Sequence, residues 1–514
     1  MKKILSMCAV MVLLGAVSAQ GGDMLEYVGI NGNINQAQGV GDPSPGNSWF
    51  KYMTGDKIGT YEAAPLRSLA GLGVDPLMLR NGTTTTLEGQ TINSIGFFRI
   101  GEQISGDVGS GVDGTKLYIR NGGVLSVSAG ADTGTLRIGE DYNAAVYVEE
   151  GGTIDNNKAD TNARLLWVGI DGRNGDPNAE ARLYVTGGFV WARSRLGIGG
   201  WGSLNGRVDI SGGVIKSRLI NVGNCSTNDY APGTGTGVLA VSGAGVVEAG
   251  DTGISLGDGY GSGANHATNG TLEQTGGTVR LVGTFNCDVK IGPWGTGLYS
   301  LTGGVLKLTG TSANDIIVGG GVSGRFKVGQ GGKVVSSGSY QTSTNATLEL
   351  LIGSAANFDM SFLANSTIDG NLAITLTGGY TPTQGQEWKV MSTAGTLTGA
   401  FDITTQNWAA SVRNEGGLNN LYVKYTLHAA DANGDNLVDV GDLGILAGNW
   451  GGSGKTWAQG DFTGDGLVDV GDLGVLAGNW GWAGGGGSMQ PVPEPATLGL
   501  LALGAIGLVR RRRS

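Results

Sequence analysis

Two twenty-residue stretches, DANGDNLVDVGDLGILAGNW from Asp431 and DFTGDGLVDVGDLGVLAGNW from Asp461, are near-copies of each other and together carry eight aspartates. In the first copy Asp431, Asn433, Asp435, Asp439 and Asp442 fall at the first, third, fifth, ninth and twelfth places of a loop. Asp461, Thr463, Asp465, Asp469 and Asp472 repeat the pattern in the second. Side-chain oxygens at this spacing suit a hard divalent cation. Calcium takes about six to eight oxygens, and the backbone carbonyl at the seventh place, Leu437 or Leu467, is expected to add one. The sixth place needs a left-handed turn, which Gly466 supplies in one copy and Asn436 tolerates in the other. Two Ca2+ sites are expected.

Such loops need an element behind them. Val440, Leu443, Leu446 and Trp450, and likewise Val470, Leu473, Leu476 and Trp480, recur at spacings of three and four, as one face of a short helix does. Two loop-helix units with aspartate at the twelfth place resemble the type I dockerin, over Leu427 to Trp482. The resemblance implies a small EF-hand-like domain that docks to a cohesin-like partner in a calcium-dependent way. The chain departs from that pattern at the tenth and eleventh loop places. Dockerins usually carry hydroxyl or basic residues there, whereas Val440-Gly441 and Val470-Gly471 occupy them here. The plainer reading is a calcium-ordered joint in a stalk, with no partner.

The remainder of the chain is of another kind. Of 514 residues 99 are glycine and only 15% are charged, while 40% are apolar, a composition of short strands and glycine turns. A two-part phrase recurs. An alternating strand runs into paired glycines, as in LYIRNGGVLSV from Leu117, LYVTGGFV from Leu183 and YSLTGGVLKL from Tyr299; a short apolar strand then closes on glycine, as in LRIG at Leu136, LGIG at Leu196 and IIVG at Ile316. The pair makes a repeat of about 25 to 36 residues, shorter than a propeller blade of about 40. One repeat cannot bury its apolar face alone, so successive copies must stack. The phrase resembles the glycine-rich β-helices of bacterial surface passengers and adhesins over about Leu77 to Val335. The expected fold is therefore mainly β: a right-handed parallel β-helix with a capping β region, plus a small α-helical EF-hand-like (dockerin) domain. Bulky Trp388, Trp408 and Tyr422 are expected to cover the last coil. Cys225 and Cys287, two repeats apart, are expected to be buried thiols, because stacked coils hold them further apart than a disulfide reaches.

Both termini read as addresses. Lys2 and Lys3, the apolar run Ile4 to Val17 and the small triplet before Gln20 form a secretory signal peptide, with cleavage expected between Ala19 and Gln20. At the other end come a glycine linker, Val492-Pro493-Glu494-Pro495, an apolar run from Ala496 to Val509, and Arg510, Arg511, Arg512 and Arg513. This order resembles the PEP-CTERM sorting signal, which implies recognition by an exosortase-type protease. The apolar run implies a transient C-terminal inner-membrane anchor on the way to the cell surface or extracellular matrix. The expected divisions are 1–19 signal peptide, 20–76 N-terminal cap, 77–345 β-helix, 346–426 β cap, 427–482 dockerin-like domain, 483–490 linker and 491–514 sorting signal.

Net charge is −10, with no basic stripe of the kind nucleic acid requires. Only His266 and His428 exist, so a Ser-His-Asp arrangement is not expected, and Asp251, Asp258 and Asp288 read as solvated turn residues rather than a catalytic pair. The sequence thus points to a secreted, surface-sorted structural or adhesin-like protein with no catalytic residues. The competing reading is a polysaccharide-binding or polysaccharide-degrading β-helix in an extracellular assembly.

Overall fold

A computed structural model describes residues 25–27, 32–33, 50–52, 61–62, 77–79, 84–89, 91–95, 97–100, 114–128, 135–139, 143–156, 165–169, 180–200, 205–225, 236–259, 268–284, 287–310 and 314–483. The cleavage site at Ala19 and Gln20, most of the 20–76 cap, His266 and the sorting signal lie outside them.

Alternation fixes the coils. In the strand Glu180–Val185, Ala181, Leu183 and Val185 point inward and are fully buried, while Arg182 and Tyr184 face out. Residues of this strand pair in parallel with Ala144–Val148 on one side and Asn205–Ile210 on the other, each in register. The result is a column: Leu117, Val146, Leu183, Val208, Leu239, Leu272, Tyr299, Phe326, Leu348 and Leu372 stack one per coil, and none is exposed. Burying an aliphatic side chain of this size contributes about 1.5–3 kcal/mol. The column is therefore one of the main stabilising features of the coils.

Two further ladders complete each coil. One carries Leu125, Ile154, Val190, Ile215 and Val247 inward. The other carries Leu136, Leu166, Leu196, Ile220, Ile254 and Val289. In Phe189–Ile198 and Val214–Cys225 these two ladders fuse into a single strand that turns the corner through a register shift, at Ala192/Arg195 and Ser217/Leu219. The buried Ser217 hydroxyl donates to the Leu219 carbonyl at 2.8 Å, satisfying the backbone that the bend frees. The chain thus forms a β-solenoid, the expected parallel β-helix.

The repeat phrase fades after Tyr340, but the pairing does not. Ala346–Ile352, Asp359–Phe362 and Ser366–Ile368 continue the three ladders, and Leu397–Gly399 and Asp402–Ile403 add to them. Toward the N-terminus, Leu25–Tyr27 pairs in parallel with Leu77–Leu79 and antiparallel with Phe50–Tyr52. Cys287 is buried, and its thiol donates to the Gly250 carbonyl at 2.9 Å.

Among the described residues a second compact unit gathers Thr381–Trp388, Thr405–Ser411 and residues 423–483. Within it the buried Trp388 ring lies 5.3 Å from Trp408, which lies 5.3 Å from Tyr425. In the first unit, Tyr422 has its ring under the Arg413 guanidinium at 4.0 Å. Among the described residues no helix is long and apolar enough to cross a membrane.

Candidate functional site

Within the second unit each duplicated stretch folds as a loop followed by a short helix, α1 at Val440–Gly448 and α2 at Val470–Gly478. Leu446 and Leu476 are buried with Ala430, Ala432, Val438, Phe462 and Val468, while Leu443, Leu473 and Trp480 pack against this cluster half-buried. Val440 and Val470 do not join it: they are 72% and 73% exposed. The reason is local. Each is the first residue of its helix, so its side chain projects from the loop before the apolar face has turned inward.

The loop residues make nearly the same bonds in both copies. Asp431 accepts the Gly434 amide at 2.8 Å on Oδ1 and the Asn436 amide at 3.1 Å on Oδ2; Asp461 accepts Gly464 at 2.8 Å and Gly466 at 2.9 Å. Asn436 has φ 66° and Gly466 φ 84°, the left-handed turn expected at the sixth place. Asp435 and Asp465 accept the amides of Leu437 and Leu467 at 2.9 and 2.8 Å. Asn433 accepts the Asp435 amide at 3.0 Å, and the Thr463 hydroxyl reaches Asp461 at 3.4 Å. Asp439 and Asp469 cap the two helices, and Asp442 and Asp472 complete each capping box by accepting the Asp439 and Asp469 amides at 2.9 and 2.8 Å. The other oxygen of Asp442 and Asp472 reaches back across the loop to Ala432 and Phe462, at 2.7 and 2.8 Å.

Asp431, Asp442 and Asp472 have no exposed surface, and Asp461 retains 4%. Most of the donors these carboxylates meet here are backbone amides, the Thr463 hydroxyl on Asp461 being a side-chain donor. Burial pushes the Asp431 carboxyl above the ordinary range, helped by the charges of Asp442 and Asp435 and opposed by its two amide donors. At Asp472 burial acts upward too, but the amides of Asp469 and Thr463, the Thr463 hydroxyl and the Phe462 amide outweigh it and the carboxyl is lowered. Among the described residues no group of three or more His, Cys, Asp or Glu is gathered closely enough to hold a metal ion. In kind, the donors fit a hard cation: they are oxygens only, on loops turned as a calcium loop requires, with buried negative charge to neutralise.

The β-helix offers a second set of acids; Asp251 is exposed to solvent as expected, whereas Asp258 and Asp288 are not. Asp288 is 9% exposed and accepts the Asp315 amide of the next coil at 3.2 Å; Asp315 accepts Ser339 at 2.7 Å, and Asp251 accepts Thr284 at 2.8 Å. Each carboxylate caps the backbone of the coil that follows, a role no local spacing reveals. Asp258 is hydrogen-bonded by Asn221, and burial raises its carboxyl. His428 is stacked on Trp482 at 3.7 Å and lies 3.1 Å from the Ala429 carbonyl, a packing role. The sequence reading also passed over an outward tyrosine file at Tyr118, Tyr147 and Tyr184, although tyrosine follows the first apolar residue in three successive copies of the phrase, from Leu117, Val146 and Leu183.

No curated protein matches the chain. Residues 491–513 match the PEP-CTERM protein-sorting motif, which marks a secreted, surface-sorted protein addressed to an exosortase.

Proposed function

We propose that this chain is a structural, adhesin-like component of the cell surface or extracellular matrix, in which the β-helix provides the extended body and the duplicated loops form a calcium-binding, dockerin-like module. The observation that carries the reading is the duplication of the loop network, Asp431 to Asp442 and Asp461 to Asp472, around buried carboxylates whose hydrogen-bond donors are mostly backbone amides. Asp431, Asn433, Asp435, Asp442 and the Leu437 carbonyl would hold one Ca2+; Asp461, Thr463, Asp465, Asp472 and the Leu467 carbonyl would hold the other, with Asp439 and Asp469 reaching through water. Calcium, when bound, would neutralise the carboxylates and lock the two loops against the helices they start.

The module would serve either to dock a cohesin-like protein or to stiffen the junction before the sorting signal. Exposed Val440 and Val470, in matching places on the two copies, favour a partner surface that is apolar rather than hydroxyl-bearing. The apolar run after Pro495 would hold the chain transiently in the inner membrane until the sorting protease acts. A pull-down of surface and secreted proteins with the full chain, in calcium and in chelator, tests docking. A partner retained only in calcium, and lost with Val440→Asp and Val470→Asp, supports it; equal capture in both conditions rejects it.

A further inference from the structure

On the outer face of the first ladder Tyr118, Tyr147 and Tyr184 occupy the same register on three successive coils. Their rings stack nearly parallel, with centroids 4.4 Å and 4.8 Å apart and interplanar angles of 6° and 10°. The Arg182 guanidinium donates to the Tyr184 hydroxyl at 2.8 Å. The three rings therefore face one another across neighbouring coils at stacking distance. All three are half-exposed. The file stops where the register places Thr86 on one side and Asp209 on the other.

This arrangement is poor for gripping a flat ligand, because the ring faces are spent on one another. It is well suited to a reaction between the rings. We propose that the tyrosine file is an oxidative cross-linking site, at which Tyr147 couples to Tyr118 or to Tyr184 and fastens neighbouring coils covalently. Each phenol gives up one hydrogen atom to form a phenoxyl radical, whose unpaired electron is shared with the carbons beside the oxygen. Two such carbons join in one carbon–carbon bond, and proton shifts restore both aromatic rings. The oxidant is hydrogen peroxide acting through a haem peroxidase: the two hydrogens lost from the tyrosines and one peroxide leave as two waters. The stack does the work that diffusion does for free tyrosine, holding the partners together before either radical is quenched. Tyr299 and Tyr340, by contrast, are fully buried in the core, out of reach of an enzyme.

The test treats the purified full chain with haem peroxidase and hydrogen peroxide, isolates the monomer by gel filtration, and maps tryptic peptides by mass. Trypsin is expected to release Tyr118 within Leu117–Arg120 and Tyr184 within Leu183–Arg193, each separate from Tyr147, so a link joins two peptides with the loss of two hydrogens. The native chain is expected to give Tyr118–Tyr147 or Tyr147–Tyr184 links. Tyr147→Phe keeps the stacked ring and is expected to abolish both, because the remaining phenols sit two coils apart. Tyr184→Phe is expected to leave the Tyr118–Tyr147 link intact. Links only between chains, no link in the file while other tyrosines are oxidised, or links that persist in Tyr147→Phe would overturn the proposal. Circular dichroism of each variant confirms that the coil is still formed.

Discussion

Asp442 and Ala432 close the first loop on itself: the carboxylate Oδ1 accepts the Ala432 amide at 2.7 Å, while its Oδ2 accepts the Asp439 amide that opens α1. One buried side chain thus ties the start of the loop to the start of the helix. Asp472 repeats the arrangement with Phe462 and Asp469. If calcium occupies the loops, it stabilises only the folded module, so stability must follow its concentration. At about a hundredfold excess over the dissociation constant each site is expected to add about 2.7 kcal/mol. Thermal unfolding of the full chain in calcium and in chelator checks this; coincident curves would reject it.

Gly197 lies under the ring of Trp167 on adjacent coils, and a Cβ there would come within 2.1 Å of two ring carbons. Trp167 is 2% exposed and has no room to withdraw. Gly197→Ala is expected to destabilise the β-helix by about 1–3 kcal/mol through overpacking. Urea denaturation measures it, and an unchanged midpoint would mean that the coil yields at no cost.

The Tyr299 hydroxyl is buried in the core and donates to Gln274 Oε1 at 2.6 Å, while the Gln274 amide reaches the Val305 carbonyl at 3.1 Å. Gln274→Leu strands the hydroxyl and is expected to cost about 1–3 kcal/mol. Adding Tyr299→Phe should recover part of that loss, since the orphaned group is then gone. A double-mutant cycle that shows no coupling would contradict this pairing.

Glu248 lies between Lys216 at 2.7 Å and Arg280 at 2.6 Å, on coils either side of its own. Burial alone would raise its carboxyl, but the hydrogen bonds and charges of Lys216 and Arg280 outweigh it and the value is lowered. A folded-state value below the unfolded one contributes stability that is complete above the ordinary glutamate range and lost as pH falls through the depressed value. Glu248→Gln should therefore lower stability near neutral pH and flatten its acid limb. Parallel acid limbs for the two proteins would show that the ion pairs contribute nothing.

Much of this was legible in the sequence because both signals are periodic. Leu183-Tyr184-Val185 alternates as a strand does, and the repeated phrase put Leu183, Val208 and Leu239 in one column. The spacing of Asp431, Asp435 and Asp442 likewise set out a loop whose bonds the structure draws. What escaped depends on neighbours far along the chain. Asp288 reads as a turn residue until Asp315, on the next coil, supplies its amide. The ladders beyond Tyr340 escaped because pairing is made by backbone, and backbone persists after the glycine phrase is gone. Val440 fits a helical face by spacing, yet at the first helical position that face has not begun.

The most direct measurement is a calcium titration of the full chain by calorimetry, beside Asp442→Asn, Asp472→Asn and the double variant. Two ions bound by the native chain, one by each single variant and none by the double variant is the expected result. No binding by the native chain, or binding that survives the double variant, would contradict the assignment of Asp431–Asp442 and Asp461–Asp472 as paired calcium loops.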